Sequence, residues 1–161
     1  MLRILPFLVL LLWSSIALAK DIFIHSHHPV SKRFAIFEDN ETVAYLYLTK
    51  PGTQRPEKDA VAYSRVPPAP EVDWNVIGQT GEVPPLPRDV ASSQALIRNP
   101  REQEFTFKWS SSGEAVALLR SGVPIAFAAA SEKFGYSKAV SKSSHLANAW
   151  DQKRYDAIFG K

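Results

Sequence analysis

Three of the chain's four histidines stand together at His25, His27 and His28, inside KDIFIHSHHPVSKRF. Imidazoles at this density suggest a metal site, and a zinc site wants three or four convergent ligands, usually with a distant Asp, Glu or His. His25 and His27 alternate and could share one strand face, whereas His28 points the other way and precedes Pro29. His145 lies far along the chain, and neither a cysteine nor an H-E-x-x-H pair is present. The bland expectation wins: residues 20–32 form an exposed lead-in, with His25 and His27 as weak metal candidates only. Serine chemistry has no better support. Trp109-Ser110-Ser111-Ser112-Gly113 contains neither a G-x-S-x-G elbow nor an S-x-x-K pair. The acidic turn Glu38-Asp39-Asn40-Glu41 lacks the D-x-D-x-D-G spacing of a calcium loop. No catalytic residue, metal or cofactor is therefore assigned. A hydrolase, as the alternative, would have to draw its site from Asp39, His25, His27 or Glu104.

Binding is the chemistry that remains. Interface energy concentrates in aromatic and arginine anchors beside irregular loops. The candidates of that kind are Tyr45 and Tyr47, the acidic residues Glu38, Asp39 and Glu41, and Arg65 with Trp74 in the Pro-rich segment. The competing expectation is that the tyrosines pack under that segment while the acidic turn only keeps a hairpin soluble.

These residues need elements to hold them. In RFAIFEDNETVAYLYLT (33–49), two apolar, aromatic-rich runs flank an Asp-Asn pair, which predicts a β-hairpin because Asp and Asn tolerate the positive φ of tight turns. Tyr45 and Tyr47 share one face, and Leu46 and Leu48 the other. Eight of the twelve prolines fall between Pro51 and Pro87. Lacking a backbone donor, they exclude central strands there and predict a long loop region over 51–88. Within it, residues 59–66 can form one strand, and VDWNVIG (72–78) offers Trp74, Val76 and Ile77 as core anchors. Its VPPLPR has a polyproline look, but a stiff surface loop is the simpler expectation. Further on, EFTFKW, AVALLR and IAFAAA, separated by SSSG and SGVP, predict an antiparallel meander with Phe105, Phe107 and Trp109 on one face. FGYSKAV adds a short strand. A closing helix is expected over 144–159, capped by Ser143 or Ser144 and stopped by Gly160, so that Trp109 and Trp150 meet across a helix-on-sheet interface. The fold class is α+β, mainly antiparallel β, in one domain over 20–161.

The first nineteen residues, MLRILPFLVLLLWSSIALA, carry Arg3, an apolar run and a small-x-small Ala17-Leu18-Ala19, the pattern of a secretory signal peptide. The run falls short of the roughly 20 residues that span a bilayer, so no stable membrane insertion is expected once it is removed. Mass spectrometry of the exported protein is expected to find its N-terminus at Lys20, within a few residues. The absence of cysteine favours a bacterial periplasm over a disulfide-rich secreted setting. With 19 Lys+Arg against 16 Asp+Glu, the net charge is small and gives no electrostatic case for nucleic acid.

Several of these segments, taken in order, resemble a family of small bacterial domains of uncharacterised function. Its members carry an early FEDDGETGYFY-like hairpin, a YDRVPPP-like stretch, a W-S-x-D-G turn, a G-x-P strand and a final AWDD-type helix. The matching residues are Phe37-Glu38-Asp39 with Tyr45 and Tyr47, then Tyr63 to Pro68. Later come Trp109-Ser110 with Gly113, Ala117-Leu118-Leu119, Gly122 with Pro124, Gly135-Tyr136, and Ala149-Trp150-Asp151. The hairpin here lacks the turn glycine, and IAFAAA replaces a more polar run. The resemblance implies one β-rich domain and no particular activity.

Three function classes follow. The first is an exported periplasmic binding protein with a protein partner, such as an immunity or inhibitor protein that neutralises a toxin. The others are a small periplasmic hydrolase and a structural subunit of the envelope.

Overall fold

In the computed structural model, which describes residues 20–161, Ile22, Ile24 and Ser26 alternate with Phe23, His25 and His27 along a strand, β1 (Ile22–His27). The expected lead-in is therefore part of a sheet. Ile22 is buried while Phe23, His25 and His27 face outward, a period-2 pattern that a sheet can use and an exposed coil cannot. The expected leader lies outside the described residues.

β1 pairs antiparallel with β2 (Phe34–Asp39), β2 with β3 (Val43–Thr49), and β3 with β4 (Pro56–Ser64), giving a four-stranded sheet in chain order. The predicted hairpin is β2–β3. Asn40 Oδ1 accepts from the amides of Thr42 and Val43, and Asp39 Oδ1 from that of Glu41. It is Glu41, with φ 71°, that takes the left-handed position. A second sheet runs β5 (Phe105–Trp109), β6 (Ala115–Arg120), β7 (Val123–Ala129), β8 (Tyr136–Ser137) and β9 (Asn148–Ala149), antiparallel except for the β8–β9 pair. The three-stranded meander falls where the sequence places it, except that Val123 and Pro124, expected in the SGVP turn, pair with Arg120 and Leu119 as the start of β7, leaving Ser121-Gly122 as the turn. The chain is thus mainly antiparallel β with a C-terminal helix, α2 (Gln152–Phe159).

The inner faces of the two sheets share one core. Phe37, Leu46, Leu48 and Tyr63 from the first meet Phe105, Val116, Leu118 and Ala126 from the second. Phe105 packs against both Phe37 and Tyr63, at ring separations of 4.8 and 5.7 Å, and aromatic pairs of this kind add about 0.5–1.5 kcal/mol to simple burial. On the outer face of the second sheet, α2 places Tyr155 and Phe159 on Phe127, next to Trp150.

The expected helix over 144–159 begins eight residues late. Leu146 and Ala147 bury in the main core, Leu146 O accepts from Val61 N, and Asn148–Ala149 extend to pair with β8. Asp151, not a serine, caps the helix by accepting from Arg154 N. The two tryptophans consequently do not meet. Trp109 donates to Ser26 Oγ at 3.0 Å and packs on His28, whereas Trp150 stands edge-on to Phe127. His28 in turn fills the space above Gly113, so the SSSG turn needs glycine for its φ of 73° and for the imidazole above it.

Within the Pro-rich region, a short helix α1 (Trp74–Thr80) replaces the expected core anchor. Asp73 caps it, Gly81 at φ 68° ends it, and none of its residues is buried. Trp74 and Val76 are both exposed. No helix among the described residues is long and apolar enough to cross a membrane.

Candidate functional site

Strand register decides which side chains share the outer face of the first sheet. One cross-strand row runs Phe23–Glu38–Tyr45–Val61, and the next runs His25–Ile36–Tyr47–Asp59. The Tyr45 end is roofed by the 81–84 segment, where the Tyr45 hydroxyl donates to Pro84 O at 2.9 Å. Tyr45 is consequently buried and stacked on Tyr47, with ring centres 6.0 Å apart, while Tyr47 stays half-buried. The tyrosines do pack under the Pro-rich segment, but the roof is incomplete.

Beside it lies an open cavity of about 330 Å³, lined by Tyr45, Tyr47, Asp59, Glu82 and His145 among others. A second cavity of about 280 Å³, lined by Trp74, Glu71 and Asp89, shares His145 and Leu146 as its wall. The His145 imidazole meets the Trp74 indole edge-on at 4.5 Å. Trp74 is therefore a wall of the site rather than a core anchor. The double cleft brings the Tyr45–Tyr47 pair near Trp74, far from it in sequence, and adds Asp59 and His145, neither of them a binding candidate from the sequence. Asp59 carried no signal beyond its place in a strand. Its place in the cleft follows from pairing opposite Tyr47.

Electrostatically, the cleft is an acidic patch on a basic chain. Neither lining contains a lysine or arginine, although basic residues outnumber acidic ones overall. Burial raises the Asp59 carboxyl above its ordinary range, opposed in part by His145. Burial, then the charges of Glu38 and Asp59, pushes the Tyr47 phenol up to about 12. The Asp59 carboxylate pairs with no cation among the ion pairs of the described residues.

That isolation has a sign. The folded chain holds the Asp59 proton to higher pH than the unfolded chain does. Its contribution to stability is therefore fully present below the ordinary value of 3.8 and is lost as pH rises through the folded value. Asp59→Asn is expected to raise the denaturation midpoint at pH 7, with the gain vanishing near pH 3. A lower midpoint at pH 7 would mean that the carboxylate holds the cleft together.

The other sequence-marked residues lie elsewhere. Asp39 is wholly buried, pointing into the sandwich. Its Oδ2 accepts from the Tyr63 hydroxyl and from Arg65 Nε. Arg65, with a side chain 7% exposed, also donates to Lys20 O. Asp39 and Arg65 are therefore internal struts and not surface anchors, because strand alternation sends Asp39 inward with Ala35 and Phe37. Glu38 and Glu41 remain exposed, with Glu38 in a notch beside Tyr45 and Tyr47. His25 and His27 lie on β1, and no three metal-ligating side chains converge among the described residues. Glu104 is held below the ordinary carboxylate range, first by the hydrogen bond from Arg101 N and then by Arg120. The residues proposed for a hydrolase do not share one site.

Compared with protein-family models, curated proteins and solved structures, the chain matches none of them.

Proposed function

We propose that this chain is an exported, periplasmic, non-catalytic binding protein of the immunity or inhibitor kind, and that the double cleft is its contact surface. The observation that carries the reading is that half-buried Tyr47 and exposed Trp74 line two adjoining hollows that share His145 as a wall. Aromatic anchors at the centre of a concave patch are where interface energy concentrates. Export rests on the leader pattern in the first nineteen residues, and the periplasm on the absence of cysteine.

The test is co-purification of the mature protein from the periplasm with the product of a neighbouring gene, together with protection of cells that produce that product. Trp74→Ala is expected to weaken capture at least tenfold at equal folded abundance, because the indole is exposed and supports no core. Val123→Ala, also exposed but away from the cleft, should leave capture unchanged. Equal capture by both variants would remove the cleft from the interface.

A second reading, the small hydrolase, draws on one observation: a carboxyl with raised affinity for its proton shares the cleft with an imidazole, the components of an acid–base couple. Turnover of a small substrate, lost in His145→Ala without any protein partner, would favour it over binding.

A further inference from the structure

The half-buried Asp59 carboxylate has lost part of its hydration and gained no ion pair within the described chain. A cation of matching shape would offset the hydration it has lost. Its oxygens are not sealed off, because Asp59 lines an open cavity. Around it stand the Tyr47 ring and the Glu82 carboxylate, and across His145 stand the Trp74 ring and Glu71. Aromatic faces together with carboxylates form an environment for an organic cation, which gains from ring quadrupoles as well as from charge. A divalent metal ion would want several oxygen or nitrogen ligands at short, convergent spacing, and no group of three metal-ligating side chains meets here. An anion would face acidic groups with no lysine or arginine in either lining. A cavity of about 330 Å³ accepts a guanidinium or ammonium head with its alkyl stem.

We infer that the cavity between Tyr47, Asp59, Glu82 and His145 receives a lysine or arginine side chain of the protein partner, with Asp59 as its counter-ion. This rests on the binding reading above and assigns the chemistry of the residue that enters. A planar guanidinium can donate two parallel hydrogen bonds to the carboxylate while lying on the Tyr47 ring. Such a contact should weaken with ionic strength, though less than an exposed pair would.

Two arms test it. In the first, the mature protein is titrated with N-butylguanidinium and with N-butylurea, its neutral analogue of the same shape, and backbone amide shifts are followed by NMR. Saturable shifts at Tyr47, Asp59 and Leu146 are expected for the cation, at least tenfold weaker for the urea and for the Asp59→Asn variant. An equal response to the urea, or no saturable response at those amides, overturns the inference. In the second arm, partner affinity is measured for Asp59→Asn and Glu82→Gln. A loss of tenfold or more for Asp59→Asn, with competition by N-butylguanidinium, supports it. If capture depends on Trp74 and not on Asp59, the inference fails while the binding reading stands. If the cation binds the cleft but partner affinity ignores Asp59, the inference also fails, and the cavity serves a free organic cation.

Discussion

Replacing Gly135 by alanine is expected to cost stability at or beyond the upper end of the about 1–3 kcal/mol typical of overpacking. A Cβ built at Gly135 would lie 2.6 Å from Ala60 Cβ, 2.6 Å from the backbone oxygen of Asp59 and 2.7 Å from that of Phe127. Carbon atoms pack at roughly 3.5–4.0 Å, and two of the three obstacles are backbone atoms of β4 and β7 that no rotamer change can move. Relief would require the two sheets to part where they are joined. Gly135 N donates to Asp59 O at 2.9 Å, and Gly135 O accepts from Asn148 N at 2.7 Å. Gly78→Ala is the matched control, because nothing lies within 4 Å of that position, and alanine is the better helix former. Urea unfolding followed by tryptophan fluorescence should show a lower midpoint for Gly135→Ala and no loss for Gly78→Ala. Equal midpoints would show that the sheet junction is free to move apart. Since the junction includes Asp59 O, Gly135→Ala should also disturb the cleft.

A second large effect is expected at Asp39. Asp39→Ala leaves the Arg65 guanidinium, 7% exposed, without its carboxylate, and the wholly buried Tyr63 hydroxyl without its acceptor. Breaking one side of a buried ion pair costs about 3–5 kcal/mol, since the remaining charge stays desolvated. For a domain of this size the melting temperature should fall on the order of 10 °C or more. Asp39→Asn keeps an acceptor for Tyr63 and should lose less. Glu38→Ala, one residue away and exposed, should stay within about 0.5 kcal/mol. In a double-mutant cycle with Arg65→Met, the two losses should be strongly non-additive. Additive losses, or a cost below about 1 kcal/mol for Asp39→Ala, would show that the pair does not tie the hairpin end to the start of β1. On the binding reading proposed above, a fall in partner binding for either variant would report damaged folding, whereas Tyr47, Asp59, Glu82 and Trp74 are the positions that test the proposed contact surface.

Much of the architecture was legible in local chemistry. The Asp-Asn turn, the alternation of Tyr45 and Tyr47 with Leu46 and Leu48, the SSSG turn, the Ser121-Gly122 turn and Gly160 each act over a few residues. Period-2 burial and turn chemistry are properties that a short window of sequence carries. Three segments misled for one shared reason. Ile22–His27 looked like an exposed lead-in because a single edge strand has no partner within its own window. Its partner, β2, enters only after Pro29 and the turn at Lys32. The stripe through Leu146 and Trp150 resembled a helix face, yet Leu146 is claimed by the main core and Trp150 by the outer face of the second sheet. Trp74 read as a core anchor because its size suggests burial, whereas the group it packs on is His145, 71 positions further along the chain.

The sequence by itself determined the class of fold, the places where the chain turns and the residues able to serve as anchors, because these depend on side-chain type and on spacing of two to four residues. Tertiary structure alone decided which of these residues come together. Strand register placed Asp59 opposite Tyr47, the loop over 144–147 brought His145 against Trp74, and alternation turned Asp39 inward to Arg65 while Glu38 stayed outside. Those pairings join residues from 12 to 71 positions apart, and a one-residue slip of β3 against β4 would exchange the face that forms the cleft for the face that forms the core.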